Sequence, residues 1–182
     1  MKNFLLAAGV LLFSGALLAA FSIRGTNTTQ PPADTLKWYT WEEAVELNKT
    51  APKKIFVDVY TDWCGWCKRM DKSTFADSTI SAYMAANFYP VKLNAEQKGD
   101  IEFNGQTFKY METGNGRGVH TLAYSLLEGD MRYPNFVYLN EKFERIMISP
   151  GYKEPNDIIK ELKFAAEEQY SKTTWEKYRD EN

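Results

Sequence analysis

The sequence predicts an α/β fold in which a central mixed sheet carries helices on both faces. Short apolar runs typical of strands alternate with segments of helical periodicity. The run at residues 55–60 is apolar at nearly every position, as in a strand buried on both faces. Two more runs, at residues 135–139 and 145–148, are close enough along the chain to pair as an antiparallel hairpin that closes the sheet.

The first 23 residues differ in kind from the rest of the chain. Lys2 precedes an apolar run from Phe4 to Ile23, which is typical of an export signal and about long enough, at roughly 20 residues, to span a bilayer. We expect residues 1–23 to be either a cleaved signal peptide or a retained membrane anchor, and the protein to be exported to the periplasm. Residues 24–35 are polar and rich in turn formers, which predicts a linker.

The remaining length accommodates one ordinary domain. We expect a domain at residues 36–170 and a C-terminal helical extension at residues 171–182. The formal net charge of −2 leaves no basic surplus to neutralise phosphates, so we expect no nucleic-acid partner.

The domain is expected to begin with a short strand at residues 36–39. Thr40 and Glu43 then have the spacing of a capping box and predict the start of a helix. The apolar strand at residues 55–60 follows and contains Asp58. A carboxyl at that position is either an edge feature or a buried acid.

The middle of the domain contains a predicted insertion. Asp77 is suited to begin a helix, and residues 89–93 form the next candidate strand. Alternating runs on both sides of the Asn-Gly pair at residues 104–105 predict a hairpin. The glycine-rich residues 114–118 predict a flexible loop, and residues 119–127 predict a helix.

The last part of the domain should consist of the closing hairpin and two helices. Pro155 is suited to the first turn of an amphipathic helix, and a polar helix around Trp175 is expected to pack on the outside. His120 is the one histidine of the chain, and we expect it to be a surface or capping residue without a chemical role.

Both cysteines of the chain lie in the motif WCGWCK at residues 63–68. A strand leads into the motif and a helix-compatible segment leads out, so Cys64 is expected at a helix N-terminus. There, unpaired N–H groups and the helix dipole stabilise a thiolate. We assign Cys64 as the nucleophile of thiol–disulfide exchange, and Cys67, one turn later and expected to be more buried, as the resolving thiol.

Three other roles for the cysteines are less consistent with the sequence. A static disulfide between them would close a very short loop and add little stability. A metal site needs about four ligands, which one cysteine pair and a single histidine do not supply. Haem attachment needs a histidine after the second cysteine, where this chain has Lys68. We therefore expect redox exchange with no cofactor or metal beyond the Cys64–Cys67 disulfide.

The element order and the motif together resemble the thioredoxin superfamily. The sequence is similar to exported thioredoxin-like proteins with a WCGWCK motif, and to the C-terminal domain of membrane thiol–disulfide interchange reductases. The resemblance covers about residues 36–164. The matching residues are the redox pair Cys64 and Cys67, the acid Asp58, the lysine Lys92 and the proline Pro134.

The resemblance implies roles for Asp58, Lys92 and Pro134. Lys92 would be the lysine that sits near the acid and would belong to the catalytic residues. Asp58 would be a buried acid whose raised pKa lets it accept the proton of the resolving thiol through a water. The alternative is a purely structural salt bridge between Asp58 and Lys92. Pro134 would be the cis-proline that faces the redox pair, and its cis bond would expose the backbone of Tyr133 to an extended substrate chain.

The sequence departs from ordinary thioredoxins in three places. Trp66 replaces the proline between the cysteines, the aromatic Tyr133 precedes the expected cis-proline, and a hairpin and loop at about residues 95–118 form an insertion before that proline. Trp63 and Trp66 flank the thiols and would form an apolar platform for substrates. Ordinary packing is the alternative, more so for Trp63.

The motif and the resemblance together predict an exported thiol–disulfide oxidoreductase that reduces protein disulfides. Its partners would be disulfide-containing or unfolded proteins and a membrane thiol electron donor, and it would contact the membrane only through an uncleaved N-terminal segment. Two alternatives stay open. One is a disulfide oxidase or isomerase, and the other is a non-catalytic thioredoxin-like binding or chaperone module with a static disulfide.

Overall fold

The structure, a computed structural model, describes residues 36–114 and 116–182. The predicted signal or anchor at residues 1–23 and the predicted linker at residues 24–35 lie outside the described residues. Within the part that is described, no helix is both long and apolar enough to cross a membrane.

The described residues form helices and strands that alternate along the chain. The helices are α1 (Trp41–Thr50), α2 (Gly65–Lys72), α3 (Ser78–Asn87), α4 (Thr121–Leu126), α5 (Pro155–Ala166) and α6 (Trp175–Glu181), with a short 3-10 helix at Gln169–Ser171. The strands are β1 (Lys54–Tyr60), β2 (Phe88–Asn94), β3 (Ile101–Phe103), β4 (Gln106–Phe108), β5 (Tyr110–Gly114), β6 (Arg117–His120), β7 (Asn135–Leu139) and β8 (Arg145–Pro150).

Four strands form the central sheet in the order β2-β1-β7-β8. β1 pairs with β2 in parallel and with β7 in antiparallel, and β7 and β8 form the predicted antiparallel hairpin. The predicted α/β fold with a central mixed sheet and helices on both faces is therefore confirmed.

The alternation of side chains along β1 separates two cores. Ile55, Val57 and Val59 belong to the first core, together with residues of α1, α4 and the first inserted hairpin. Phe56 belongs to the second core, which the residues of α2, α3 and α5 complete. Because side chains alternate between the faces of a strand, Asp58 lies on the face of Phe56, the face that α2 covers.

The predicted helix starts are confirmed by their hydrogen bonds. The backbone N–H of Glu43 donates to the Thr40 hydroxyl at 3.2 Å, and the N–H of Thr40 donates to the Glu43 carboxylate at 2.8 Å. The Asp77 carboxylate accepts the N–H groups of residues 79 and 80 at the start of α3. Pro155 occupies the first turn of α5.

The prediction of a strand over residues 36–39 was wrong in its extent. Tyr39 alone makes a parallel bridge, with its N–H donating to the Pro90 carbonyl at 2.8 Å and its own carbonyl accepting from Lys92. The preceding Trp38 instead packs edge-on against Phe75, with ring centroids 5.1 Å apart. Aromatic burial in the second core thus replaces strand pairing in this segment.

The insertion contains two hairpins, and the sequence indicated only the first. β3 and β4 pair on both sides of Asn104 and Gly105, whose φ angles of 51° and 75° suit a two-residue hairpin turn. The loop predicted at residues 114–118 was wrong, because β5 and β6 pair as a second hairpin. Gly118 permits this pairing, since a Cβ there would lie 2.3 Å from the ring of Tyr110.

The helix predicted at residues 119–127 begins later, because residues 117–120 are taken up by β6. His120 is fully buried and caps α4: its Nδ1 accepts the N–H of Leu122 at 3.3 Å, and its Nε2 lies 3.1 Å from the Gly99 carbonyl. A neutral ring with its proton on Nε2 satisfies both contacts, and burial lowers the pKa of His120 accordingly. The capping role expected for this histidine is confirmed, and a surface position is not.

The C-terminal helix α6 packs against the end of α5. Trp175 and Tyr178 lie 5.5 Å and 5.3 Å from Phe164 between ring centroids. These contacts agree with the helix predicted around Trp175.

The second core depends on the aromatic cluster around Phe56, which stacks on Phe136 at 5.4 Å and contacts Tyr138 edge-on at 5.2 Å. We expect Phe56→Ala to lower the free energy of unfolding by about 3–5 kcal/mol, because a fully buried ring leaves a cavity. Urea denaturation of the oxidised protein measures this loss. The control Met111→Ala removes a side chain that is 57% exposed and should cost about 0.5 kcal/mol or less. An equal loss in both variants would contradict the assignment of this core.

Candidate active site

The two cysteines lie where β1 gives way to α2. After β1 ends at Tyr60 the chain turns, and Cys64 occupies the N-cap of α2. Cys64 and Cys67 form a disulfide with a Cα–Cα distance of 5.3 Å. The strand, turn and helix that the motif predicted are thus all present.

The helix start is directed at the sulfur of Cys64. The backbone N–H of Cys67 donates to Cys64 Sγ at 3.1 Å, so the first of the two sulfurs receives a free N–H group of the helix. When the disulfide is open, this donor and the helix dipole would stabilise a thiolate at Cys64 more than at Cys67. Both cysteines are buried to a similar degree, with exposed fractions of 4% and 2%. The expected contrast in burial is therefore slight, and the position at the helix start distinguishes the pair.

Asp58 lies on the sheet beneath α2 and is bound by Lys92. The two residues are register partners across β1 and β2, and Lys92 Nζ donates to Asp58 Oδ2 at 2.6 Å. Lys92 also donates to Asp71, on α2, so this lysine links the sheet to the redox helix. The second carboxylate oxygen, Asp58 Oδ1, is buried and has no hydrogen-bond partner within the described residues.

Burial dominates the electrostatics of Asp58. It raises the pKa of the carboxyl to about 6, although the charge of Lys92 acts in the opposite direction. Burial on its own would lower the pKa of Lys92, but Asp58 and Asp71 raise it overall. The raised pKa of Asp58 agrees with the sequence-based prediction, and the raised pKa of Lys92 keeps the lysine charged. The salt bridge to Lys92 is present, and the choice between a proton acceptor and a purely structural ion pair falls to the kinetics of Asp58→Asn.

Trp63 is exposed but is contacted on several sides. Its exposed fraction is 53%, and its indole N–H donates to the Glu96 carboxylate at 3.1 Å. The Arg117 guanidinium lies 5.1 Å from the Trp63 ring centroid, and Tyr133 packs edge-on at 5.8 Å. Burial, followed by the charge of Glu96, raises the pKa of Tyr133 to about 12. The insertion therefore reaches the redox motif through Arg117.

Trp66 has a similar set of neighbours formed by other parts of the chain. It is 54% exposed, and its ring lies 5.2 Å from that of Tyr152, which follows β8. The Arg69 guanidinium lies 5.4 Å from the centroid of each ring. The Tyr152 hydroxyl donates to Glu154 at 2.8 Å. Trp66 is therefore accessible at the start of α2, as a platform for substrates requires.

Pro134 directly precedes β7, and the bond between Tyr133 and Pro134 is cis, as predicted. The Pro134 carbonyl accepts the N–H of Gly151 at 2.8 Å, which fixes this turn against the end of β8. Tyr133 is in contact with Trp63 through its ring. Of the predicted residues, Asp58 and Lys92 thus lie together under the helix, and Trp63 and Tyr133 lie in contact. Trp66 is not in either group and contacts Tyr152 instead.

Sequence reasoning missed several neighbours of the motif. Asp71 carried a usable signal, because it follows Cys67 by four residues and so shares a helix face with it. Arg69 carried a signal too, because it follows Trp66 by three residues on α2. Glu96, Arg117 and Tyr152 carried none, since their contacts join segments far apart in the chain. Within the described residues, no group of three or more His, Cys, Asp or Glu side chains is arranged to hold a metal ion.

The chain matches one protein family over residues 26–180, the family described as "Thioredox_DsbH: Protein of unknown function, DUF255". It is also similar to curated proteins over less than half its length. It is 29% identical to human spermatogenesis-associated protein 20 over 43% of this chain and 10% of that protein. It is 25% identical to the thiol:disulfide interchange protein DsbD of Pectobacterium atrosepticum over 46% of this chain and 16% of that protein. The chain thus aligns with only a small part of each of these relatives.

Solved structures share the fold. A DsbH oxidoreductase superposes with a TM-score of 0.52 at 18% identity, covering 79% of this chain and 94% of that one. A putative disulphide-isomerase from Bacteroides thetaiotaomicron superposes with a TM-score of 0.52 at 24% identity, covering 75% and 98%. A thioredoxin from Thermus thermophilus gives a TM-score of 0.53 at 21% identity, covering 71% and 85%. The fold is therefore thioredoxin-like.

The raised pKa of Asp58 makes stability depend on pH. The folded-state pKa of about 6 lies above the ordinary value of 3.8, so the folded protein holds this proton more tightly than the unfolded chain. The resulting stabilisation is complete below about pH 4 and is lost as the pH rises through 6. We expect the wild type to lose about 2–4 kcal/mol over this range relative to Asp58→Asn.

Urea denaturation of the oxidised proteins between pH 3.5 and 7.5 measures this difference, and oxidation keeps the cysteines from titrating. Asp62→Asn, which changes an exposed aspartate, should follow the wild-type curve. A difference between wild type and Asp58→Asn that stays constant with pH would contradict the assignment.

Proposed function

Because the chain belongs to the Thioredox_DsbH family of the thioredoxin superfamily, we propose that it is a thiol–disulfide oxidoreductase that reduces protein disulfides outside the cytoplasm. The observation that carries this proposal is the disulfide at the start of α2, where the Cys67 N–H donates to Cys64 Sγ. The names of the DsbH and DsbD relatives support the same reaction class.

The proposed reaction begins with the open dithiol. The Cys64 thiolate attacks one sulfur of a substrate disulfide, a Cys64–substrate disulfide forms, and the first substrate sulfur leaves as a thiolate that takes up a proton. Cys67 then loses its proton and attacks Cys64 Sγ. The Cys64–Cys67 disulfide forms and the second substrate thiol leaves, so two electrons have moved from the protein to its substrate. A membrane thiol donor is proposed to return two electrons and reopen the disulfide.

Asp58 is proposed to accept the proton of Cys67 in the second step. Three properties support this role. It lies on the sheet face covered by α2, its Oδ1 is buried without a partner in the described part of the chain, and its pKa is about 6. A base with this pKa is ionised at pH 7 yet still basic enough to be useful. Lys92 would hold the carboxylate in place and limit the rise of its pKa.

Trp63, Trp66 and the backbone near Tyr133 are proposed to bind the substrate chain. Both indoles are more than half exposed, and exposed aromatic side chains near a reactive group offer apolar contact area. The reducing direction and the export of the protein are part of the same proposal. The reducing direction rests on the resemblance to the interchange reductases, and export rests on the apolar segment at residues 1–23.

Removing the resolving thiol should trap the first intermediate. We expect Cys67→Ala to accumulate a mixed disulfide through Cys64 when it meets an unfolded protein that contains disulfides, because no second thiol is present to release the substrate. Non-reducing electrophoresis and mass spectrometry of the adduct measure this. The matched variant Cys64→Ala should accumulate much less adduct, since it lacks the thiol at the helix start. Adducts formed mainly by Cys64→Ala would reverse the assignment, and no adduct with either variant would favour a non-catalytic module.

Replacing the proposed base should slow turnover and alter its pH dependence. We expect Asp58→Asn to reduce insulin about tenfold more slowly at pH 7, which is less than the roughly 100-fold or larger contribution typical of a general base. The deficit should shrink above about pH 9, where a free thiol with a pKa near 8.5 ionises without help. Stopped-flow rates from pH 6 to 10 provide the profile, with Asp62→Asn as the charge-matched control. A deficit that is the same at every pH would indicate a structural role.

A further inference from the structure

The two tryptophans of the redox motif, one on each side of Cys64 in the sequence, each lie next to an arginine. Arg117 of the insertion lies against Trp63, and Arg69 of α2 lies against Trp66, with guanidinium-to-centroid distances of 5.1 Å and 5.4 Å. Both arginines are exposed and both rings are more than half exposed. These pairs are therefore open to any chain that approaches the disulfide.

Among the arginines of the described residues, Arg69 and Arg117 are the two without a salt bridge. Within residues 36–114 and 116–182, Arg132, Arg145 and Arg179 form salt bridges within 4.0 Å, whereas Arg69 and Arg117 form none. A guanidinium held near an indole by cation–π attraction still has N–H groups that can donate to a carboxylate. Each pair thus offers an apolar surface beside a set of unused donors.

Two carboxylates that border the pairs already accept hydrogen bonds from other side chains. Glu96 accepts the indole N–H of Trp63, and Glu154 accepts the hydroxyl proton of Tyr152. Two further exposed charges offset one another: Asp62, which precedes the motif, and Lys68, its last residue. Long-range attraction is therefore weak, and any selectivity for charge must come from short contacts to Arg69 and Arg117.

The neighbours of the indoles hold them ready for contact. Trp63 is fixed by Glu96, Tyr133 and Arg117, and Trp66 by Tyr152 and Arg69. A side chain that is already ordered loses less entropy when a ligand binds. This arrangement favours a polypeptide over a small disulfide, because only a polypeptide reaches an indole and a guanidinium while its sulfur meets Cys64.

We propose that the two arginine–tryptophan pairs form a substrate subsite that selects polypeptide disulfides carrying acidic side chains next to the cysteine. The substrate carboxylates would accept hydrogen bonds from Arg69 and Arg117, and the adjoining part of its chain would lie on the indoles. This inference rests on the proposed oxidoreductase function and adds a substrate class to it. It also implies a role for the insertion in substrate binding, since Arg117 belongs to the insertion.

The test uses three synthetic peptide disulfides that are identical except for Glu, Gln or Lys on both sides of the cysteine. Reduction by the wild-type protein is measured as kcat/KM with a dithiol donor, and rates with dithiothreitol alone correct for intrinsic reactivity. We expect the corrected kcat/KM of the Glu peptide to exceed that of the Gln peptide about tenfold, with the Lys peptide lowest, as charge-assisted hydrogen bonds suggest. Most of the preference should arise in KM and should disappear near 1 M salt, where the Debye length is about 3 Å.

Variants assign the preference to the two pairs. Arg117→Gln and Arg69→Gln should each lower the Glu-to-Gln ratio about threefold, and the double variant should abolish it. Arg179→Gln removes the same charge from α6, where the arginine is already paired with Asp180, and should keep the wild-type ratio. A wild-type ratio near one, or a ratio unchanged in the double variant, overturns the inference.

The neutral 2-hydroxyethyl disulfide separates this inference from the proposed function. If the wild type reduces it but treats the three peptides alike, the oxidoreductase function stands and the acidic subsite is wrong. If the wild type reduces none of the disulfides, the proposed function fails and the subsite fails with it.

Discussion

The burial of β1 on both faces is the constraint on which the rest of the structure depends. Six of its seven residues are buried, and strict alternation sends Ile55, Val57 and Val59 to one core and Phe56 to the other. A shift of one residue would exchange every side chain between the two cores. The same register fixes Asp58 on the face covered by α2 and leads the chain from Tyr60 into the cysteine motif. The register of β1 therefore determines both the packing of the two cores and the position of Asp58 and the cysteine motif.

Much of this arrangement could be predicted, because its determinants are local. The apolar run of β1, the capping pattern of Thr40 and Glu43, and the Asn104–Gly105 turn each specify structure within a few residues. The cysteine motif is equally local, since the strand before it and the helix after it are what identify the two-residue spacing as that of a redox pair. The roles of Asp58, Lys92 and Pro134 depend on which strands are neighbours, and the family resemblance supplied that.

The rest could not be predicted, because it depends on contacts between distant segments. The glycines of the second hairpin predicted a flexible loop, because glycine allows many backbone conformations. That Gly118 is needed for close packing against Tyr110 depends on the tertiary structure. The contact between Arg117 and Trp63 joins residues more than fifty positions apart, and neither residue carries a periodic signal. Such contacts arise only when the sheet has brought the segments together, which is why the surface around the disulfide was the least predictable part of the site.

The state of Asp58 favours a functional reading over a structural one. A carboxylate buried with one unpartnered oxygen costs about 1–3 kcal/mol for that oxygen alone, and burying an ion pair rarely repays its desolvation. Apolar residues at the positions of Asp58 and Lys92 would serve the second core at least as well. A position where local rules are broken at a cost in stability is where function is expected. Lys92 fits this view, because it contacts Asp71 as well as Asp58 and so joins the buried acid to the redox helix.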